Sequence, residues 1–436
     1  MARDQFKAFA AYVDGLETIA GEALARFEAH GRNSYFGPIL DGQPARKFRD
    51  QIPLQIRRTA GAFFTSAVLA RRLSRQILSN LPPDAVIADP ACGLGDLLLV
   101  AARELPTVPD LVGTLRIWGS HLMGFDTQPE FVRATKIRLL LLAMLRSHHT
   151  EGSSDPKVAD LFPMICTRDF IASPQGLVGA SHILINPPYN QLLVPCGCTW
   201  GNRKVSAAAL FMDVCLSNAA AGAKIGALLP DVLRAGSYYA DWRRHIESLS
   251  EGMKITTYGQ FDNWTDVDVF ILELTKATAQ QTAKAIWWKT PKSTCDSRVG
   301  DYFDVHVGSV VPHRDPEEGL SLAYIHAKTL PAWGVVKRIN EKRRFSGASF
   351  SPPFVAVRRT SRPGDKRAIA TIITGRREVA VENHVIALFP HGKTVAECRK
   401  LVRVLMSRRT DKWLDERIRC RHLTVGVLED LPWWRL

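Results

Sequence analysis

The strongest constraint on the fold is an alternation of short apolar segments with longer helix-like segments between residues 85 and 230. The strand-like segments are AVIADPACG, LMGFD, HILIN and AKIGALLP. Such alternation is typical of a mainly parallel sheet covered by helices on both faces. Residues 254–276 form two alternating runs around a polar turn, which predicts an antiparallel hairpin at one edge of the sheet. The predicted fold class is therefore α/β with a Rossmann-like sheet.

The length and the charge distribution predict more than one domain. A chain of 436 residues exceeds the roughly 250 to 300 residues at which single cores stop growing. Residues 8–29 show helical spacing, and the pattern becomes irregular beyond residue 290. We predict an N-terminal helical segment at 1–55, a central α/β domain at 56–290 and a basic domain at 291–436. The last range holds 27 Lys and Arg against 16 Asp and Glu, which is +11 of the net +14. Such charge suggests a polyanionic partner, and a merely solvated basic face is the alternative.

The apolar stretches and the cysteines indicate a soluble, cytoplasmic protein. The longest apolar stretch, RLLLLAML at 138–145, is far shorter than the roughly 18 residues that span a bilayer, and no signal segment opens the chain. The eight cysteines show no disulfide-like framework, which fits a reducing compartment. Cys196 and Cys198 lie close together, but a zinc site needs two more suitably spaced ligands, so we predict no metal.

Candidate functional residues lie where the strands end, which is where open α/β sheets bind ligands. Asp89 is followed by a turn of small residues that begins a helix, and small residues let the backbone approach a ligand closely. An ordinary tight connection is the alternative for this turn. Asp126 ends the next strand, where it could hold ribose hydroxyls or cap the following helix. Asp169 and Phe170 follow, and Asn-Pro-Pro-Tyr at 186–189 ends the fourth segment.

These motifs together resemble one family. The set DPACGLGD, GFD, RDF and NPPY is similar to that of S-adenosylmethionine-dependent amino-methyltransferases acting on nucleic acids. TAGAFFTS at 59–66 precedes the glycine turn, an order that resembles the gamma-class adenine DNA methyltransferases of restriction-modification systems. Ser66 stands where that family usually has proline. The resemblance covers about residues 59–276 and implies a class I methyltransferase sheet followed by a C-terminal DNA-recognition domain.

The resemblance implies S-adenosylmethionine as the cofactor and assigns residues to each of its parts. Asp89 would orient the ammonium group, Asp126 would hold the ribose, and Thr127 would border the adenine. The remaining cofactor contacts would come from Thr65, the turn residues Ala91, Cys92, Gly93 and Gly95, and the adenine-binding Asp169 and Phe170. The long interval between Asp89 and Asp126 predicts an insertion within RELPTVPDLVGTLRIWGSH.

The resemblance also implies the chemistry. The Asn186 side-chain oxygen and the Pro187 carbonyl would accept from the target amino group, while Pro187 and Pro188 stiffen the turn because proline fixes φ. Tyr189 would present its ring to a flipped base, and Phe261 would stack on the opposite face, with Trp264 as the alternative. The implied reaction is methylation of an adenine amino group in double-stranded DNA.

Several alternatives share these motifs. They are methylation of a cytosine amino group, of a ribosomal RNA guanine or of a release-factor glutamine, and a non-catalytic DNA-recognition subunit. A separate restriction endonuclease is a compatible partner, and the sequence does not indicate an oligomeric state. Candidate DNA-binding residues in the basic domain are Arg343, Arg344, Arg358, Arg359, Arg362, Lys366 and Arg367.

Overall fold

The computed structural model describes residues 6–30, 36–148, 160–262, 264–265, 267–280, 284–288 and 296–434. The chain forms two compact units. The first unit comprises Met1–Pro230, Asp241–Tyr258 and Val269–Ala285, and the second comprises Asp231–Ala240, Gly259–Asp268 and Ile286–Leu436. The predicted boundary at residues 290 and 291 lies outside the described residues, and the predicted three-part division stays a prediction.

The first unit is built on a seven-stranded sheet and also contains a two-stranded ribbon. The strands in chain order are β1 Ile87–Asp89, β2 Leu122–Asp126, β3 Ile165–Thr167, β4 His182–Ile185, β5 Gln191–Leu193, β6 Lys204–Ser206, β7 Lys224–Pro230, β8 Ser250–Gln260 and β9 Asp268–Lys276. The sheet order is β3-β2-β1-β4-β7-β9-β8, and β5 pairs with β6 to form the ribbon, which is inserted in the chain between β4 and β7.

The pairing directions explain why ligands are expected at one edge of this sheet. Strands β3, β2, β1, β4 and β7 are parallel neighbours, so their carboxyl ends meet on one side, whereas β9 runs antiparallel to β7. Every residue of β1 and β4 is buried, as are six consecutive residues of β7, so both faces of the sheet are covered. The predicted α/β class with a Rossmann-like sheet is confirmed.

The helices of the first unit cover this sheet and carry the N-terminal segment. Their bounds are α1 Lys7–His30, α2 Gly37–Leu40, α3 Gln43–Gln51, α4 Leu54–Ala60, α5 Ala67–Ile77, α6 Asp96–Glu104, α7 Leu111–His121, α8 Pro129–Arg146, α9 Ala207–Asn218 and α11 Ala240–Leu249. Helix α10, Asp231–Ala235, belongs to the second unit. The Ser66 hydroxyl accepts from the Leu69 amide at 3.3 Å, so Ser66 is the N-cap of α5. Helix α7 is the additional element within the stretch where an insertion was predicted.

A cluster of aromatic rings joins the N-terminal helices to the sheet layer. Phe48 of α3 lies 5.0 Å from Phe9 of α1 and 5.2 Å from both Phe64 and Phe131, measured between ring centroids. The four rings meet edge to face, which is a favoured aromatic geometry. The helices of residues 7–51 therefore share an apolar core with α8 and with the segment that precedes α5.

The second unit is rich in antiparallel sheet. Its strands are β10 Phe303–Val307, β11 Leu320–Ile325, β12 Val335–Val336, β13 Lys342–Phe345, β14 Phe354–Arg358, β15 Ala370–Ile373, β16 Val379–Val381 and β17 Val385–Pro390. They form a five-stranded sheet, β10-β17-β14-β15-β12, and a three-stranded sheet, β13-β11-β16. The helices are α10 Asp231–Ala235, α12 Val395–Met406, α13 Arg408–Arg417 and α14 Val425–Glu429. One core packs buried β14, β15 and β17 side chains against α12 and α13.

Among the described residues, no helix is both long enough and apolar enough to span a bilayer.

Candidate active site

A cavity of about 360 Å³ lies at the carboxyl ends of the parallel strands of the first unit. Its volume falls within the range of small-molecule sites. The predicted site residues that line it are Thr65, Asp89, Ala91, Cys92, Gly93, Asp126, Thr127, Asp169, Phe170, Asn186 and Pro188. Gly95, Pro187 and Tyr189 are not among the lining residues. The fold thus brings together residues that lie up to 123 positions apart in the chain.

The turn after β1 is held by the carboxylate that ends β2. Asp126 accepts a hydrogen bond from the Gly93 amide at 3.1 Å through Oδ2 and from the Gln128 amide at 2.8 Å through Oδ1. Asp89 accepts from the Ala91 amide at 3.1 Å. Each carboxylate oxygen can accept more than one hydrogen bond, so Asp126 can hold the turn and still accept from a ligand hydroxyl.

Burial changes the proton affinity of both carboxyl groups. Burial raises the pKa of Asp126 to about 6, although the amides of Gln128, Gly93 and Thr127 oppose this by stabilising the charged form. Burial raises the pKa of Asp89 well above its usual value, and the nearby Asp126 charge adds to the effect. A cationic or hydroxyl-bearing ligand would favour the ionised forms, so the cavity is suited to groups that donate hydrogen bonds.

The second glycine of the turn is required by the helix behind it. Gly95 has φ of +81°, and a Cβ added there would lie 2.6 Å from Cγ2 of Thr135. Thr135 in turn donates through its hydroxyl to the Gly93 carbonyl at 3.0 Å. Gly95 therefore lets α6 approach α8 and shapes the turn from behind rather than from the cavity.

A buried arginine fixes the same turn to the N-terminal helices. Arg138 of α8 is 1% exposed and donates to the carbonyl oxygens of Leu94, Ile39 at 3.0 Å and Leu40 at 3.4 Å. It also pairs with Asp96 at 2.9 Å. Because its donors satisfy acceptors on two separate segments, Arg138 ties the glycine turn to helix α2.

The Asn186 side chain lies in a hydrogen-bonded chain that fixes its orientation. Its Nδ2 donates to Thr65 Oγ1 at 2.9 Å and to the Phe63 carbonyl at 3.4 Å, while its Oδ1 accepts from the Tyr189 hydroxyl at 2.8 Å. Tyr189 also lies 3.3 Å from the Leu228 carbonyl. The amide oxygen of Asn186 retains a second lone pair for another donor.

The turn of Asn-Pro-Pro-Tyr packs against the segment TAGAFFTS. Gly61 has φ of +65°, and a Cβ added there would lie 2.5 Å from Cβ of Pro188. Pro187 is buried, and no described group donates a hydrogen bond to its carbonyl oxygen. The Pro187 carbonyl is therefore an acceptor with no internal donor in the part of the chain that the structure describes.

Aromatic side chains form the opposite part of the cavity. Phe170 is 1% exposed and stacks on Phe125 with a centroid distance of 6.2 Å and an interplanar angle of 4°. Phe211 of α9 lies 5.8 Å from Phe170. Asp169 is exposed, and its Oδ1 accepts from the amides of Ile171 at 3.1 Å and Ala172 at 3.2 Å. One Asp169 oxygen thus supports the backbone turn.

The sequence did not identify several residues that line the cavity, among them Phe64, Phe131, Arg168, Asn190 and Phe211. Arg168 lies over the Phe125 ring at 5.0 Å. Asn190 donates to the Thr59 carbonyl at 3.4 Å, and its buried Oδ1 has no partner among the described residues. Arg168 belongs to the motif RDF, Phe64 belongs to TAGAFFTS, and Asn190 directly follows NPPY, so proximity to the motifs was the local signal for these three residues.

The predicted residues of the second unit have mixed environments. Phe261 is 5% exposed, and its amide donates to the Val267 carbonyl at 2.8 Å. Most of the candidate DNA-binding side chains bond to the protein itself, which leaves fewer donors for a ligand. Internal partners are Glu317 for Arg343, Gly319 for Arg344, Leu330 for Arg358, Leu423 and Asn383 for Arg359, Asp411 for Lys366, and Ile418 and Cys420 for the fully buried Arg367. Arg362 is exposed.

Within the described ranges, no group of three or more His, Cys, Asp or Glu side chains is arranged to hold a metal ion.

No protein-family model and no curated protein sequence matches the chain. Solved structures with a similar chain trace include the type IIG restriction endonuclease BpuSI, at 15% identity and a TM-score of 0.45, covering 90% of this chain and 61% of that one. The type I restriction enzyme EcoKI M protein has 16% identity and a TM-score of 0.39, with 64% and 66% covered. The DrdV–DNA complex has 12% identity and a TM-score of 0.42, with 54% and 28% covered. Sequence identities and TM-scores this low indicate neither a shared substrate nor a shared activity.

Proposed function

We propose that the chain transfers a methyl group from S-adenosylmethionine to the exocyclic amino group of an adenine in DNA. The observation that carries the proposal is that Asn186 lines the same cavity as the carboxylate of Asp126 and the ring of Phe170. A group that can polarise an amine and groups that can hold a nucleoside thus share one space of about 360 Å³. The motif order from TAGAFFTS to NPPY supports adenine as the target.

The chain's own residues fit such a cofactor. The cofactor would supply an electrophilic methyl group on a sulfonium centre. Asp126 would accept from the ribose hydroxyls, and Asp89 would accept from the ammonium group. Phe170 would border the adenine ring. Gly93 would leave room for the methionine part because glycine carries no Cβ.

The amine would be activated by two acceptors. An exocyclic amino group is a poor nucleophile because its lone pair is delocalised into the ring. Asn186 Oδ1 and the Pro187 carbonyl would accept hydrogen bonds from its two N–H groups and favour tetrahedral nitrogen, which localises that pair. The Thr65 and Tyr189 hydroxyls hold the Asn186 amide in one orientation beforehand, so little reorganisation remains at the moment of reaction. The nitrogen would carry a positive charge once the methyl group has moved, and it would then release one proton to water.

The target base would have to leave the duplex, because its amino group is not accessible within the stack. Tyr189 and Phe261 are the proposed stacking residues, and the basic second unit is the proposed DNA-binding part. The alternatives differ in the product that they give. They are methylated cytosine, methylated ribosomal RNA guanine, methylated release-factor glutamine, and DNA binding with no methyl transfer at all.

The test is expression in a host that lacks DNA methylation, followed by sequencing of modified bases. We expect N6-methyladenine within one sequence motif. We expect Asn186→Ala to lower methyl transfer from labelled cofactor by at least about 10²-fold while cofactor affinity stays nearly unchanged. Gln191→Ala, at an exposed position that follows the same turn and does not line the cavity, is the matched control and should retain most of the activity. Full activity of Asn186→Ala, or methylation of a different base, would contradict the proposal.

A separate test concerns base capture. Phe261→Ala should lower the fluorescence rise of 2-aminopurine at the target position, because a flipped base would lose one stacking surface. Cofactor affinity, measured by calorimetry, should not change. A fluorescence signal equal to that of the wild type would argue against stacking at Phe261.

A further inference from the structure

A second cavity, of about 420 Å³, is lined entirely by residues of the second unit, which includes the end of β8 and the first residue of β9. It shares no lining residue with the candidate active site. We define it as the arginine pocket, which is lined by Gln260, Trp264, Asp268, Arg362, Pro363, Arg419 and Arg421. Three arginines stand there against one aspartate, so the lining carries a net charge of +2. A pocket of this charge is expected to attract an anion.

One arginine of the pocket is held in place from behind. Arg419 Nε donates to Asp268 at 3.2 Å, and the Arg419 amide donates to Asp231 Oδ2 at 2.8 Å. Asp231 is itself fixed by a fully buried ion pair with Arg234 at 2.6 Å. The terminal guanidinium nitrogens of Arg419 make no hydrogen bond to any described residue. They are therefore oriented donors that can bind an acceptor on a ligand.

A second arginine is exposed at the rim. Arg362 makes no side-chain hydrogen bond to the described part of the chain. This distinguishes Arg362 and the Arg419 termini from the other candidate DNA-binding arginines, which bond to internal carbonyls and carboxylates. The arginine pocket is therefore a place where guanidinium groups remain able to bind a phosphate in the bidentate manner that they favour.

An aromatic ring stands beside these guanidinium groups. Trp264 is 67% exposed, which is unusual for the largest apolar side chain. Aromatic rings adjacent to arginines are the combination that binds nucleic-acid strands, because a base stacks on the ring while the guanidinium groups hold the phosphate. Gln260 adds an amide that can both donate to and accept from a base edge. An acidic peptide would use the charge but would not need the exposed ring.

We propose that the arginine pocket binds one nucleotide of the DNA other than the methyl-accepting base, with its phosphate on Arg362, Arg419 and Arg421 and its base on Trp264. The choice of DNA rests on the proposed function. The phosphate part makes binding salt-dependent, whereas the stacking part does not. These two dependences can be measured separately.

The experiment is fluorescence anisotropy of a labelled DNA duplex over a series of salt concentrations, with the full chain. The double variant Arg362→Gln and Arg421→Gln should bind on the order of tenfold more weakly, and the slope of log K against log salt should become shallower by about 2. Trp264→Leu should weaken binding roughly tenfold without a change in slope. Arg399→Gln, at an exposed position on α12, is the control and should change neither quantity.

Additional measurements keep this test independent of the proposed function. Thermal melting and cofactor affinity should match the wild type for every variant, because all the substituted side chains lie outside the first unit and its cavity. If the wild type shows no methyl transfer, the proposed function is refuted. The slopes of log K against log salt would still test the arginine pocket. A double variant with the wild-type slope would overturn the arginine pocket. So would variants that lose affinity for a labelled polyglutamate peptide but bind duplex DNA normally.

Discussion

Replacing Arg138 by methionine should destabilise the first unit far more than replacing an arginine on the surface of the same helix. The substitution keeps an unbranched side chain of moderate size but removes every donor. Three carbonyl oxygens, of Ile39, Leu40 and Leu94, and the Asp96 carboxylate would then lose a hydrogen bond. The Asp96 side chain is only 13% exposed, so water replaces the lost donor poorly.

The magnitude follows from these contacts. A buried acceptor left without a donor costs about 1–3 kcal/mol, and removal of one partner of a buried pair costs about 3–5 kcal/mol. Because the site relaxes and these costs overlap, we expect a loss of about 3–5 kcal/mol in the free energy of unfolding. The loss should be accompanied by weaker cofactor binding, since the Gly93 turn is no longer tied to the N-terminal helices.

The assay is urea unfolding combined with hydrogen exchange of peptides that cover the turn after β1. Arg133→Met is the matched control on α8. Arg133 pairs with Asp14, Glu17 and Glu130, but its side chain is 33% exposed, so its loss should cost no more than about 1 kcal/mol. Equal destabilisation by the two substitutions, or unchanged exchange in the turn of Arg138→Met, would refute the role assigned to Arg138.

Three further predictions concern the cavity. Since folding raises the pKa of Asp126 to about 6 from about 3.9 in the unfolded chain, its contribution to the free energy of unfolding is fully present below pH ~3.9 and is lost as the pH rises through about 6. Cofactor affinity should rise as the pH increases through about 6, because the Asp126 carboxyl group ionises there. Calorimetry on Asp126→Asn should show no such rise. Gly95→Ala should lower the free energy of unfolding by about 1–3 kcal/mol more than Gly222→Ala does. Both glycines have positive φ, +81° and +83°, but only a Cβ at Gly95 would meet a side chain within 4 Å. Equal shifts in melting temperature would argue against that contact. Tyr189→Phe should lower kcat by roughly tenfold at unchanged cofactor affinity, because the Asn186 amide loses one orienting hydroxyl; an unchanged kcat would show that the hydroxyl is dispensable.

The sequence predicted the parts of the fold that local patterns encode. Alternation of apolar segments predicted the parallel sheet, and two alternating runs predicted the adjacent strands β8 and β9. The same patterns did not reveal helix α7 as a separate element, only that extra chain was present between Asp89 and Asp126. Its buried positions follow helical spacing, but two of them are Thr114 and Gly119, so the apolar residues alone show only part of the buried face.

Charge was the least informative property of the sequence at the level of single residues. The net charge of residues 291–436 can be counted, but Arg367 is fully buried and Arg343 is paired with Glu317, so neither behaves as the solvent-exposed cation that a count assumes. In the same way, Arg138 stood at the edge of the apolar run RLLLLAML, and nothing local indicated that it is buried. Whether an arginine is a surface charge or an internal clamp depends on distant carbonyl groups.

The sequence by itself determined the alternation of elements and the shape of the turns, because hydrophobic periodicity and the backbone preferences of glycine and proline act over a few residues. Only the tertiary structure decided which atoms meet. Asn186 bonds to a threonine 121 positions away, and Arg138 bonds to a carbonyl 99 positions away. A hydrogen bond requires two groups within about 3 Å, and the approach of distant segments to that distance is set by how the sheet and its helices pack together.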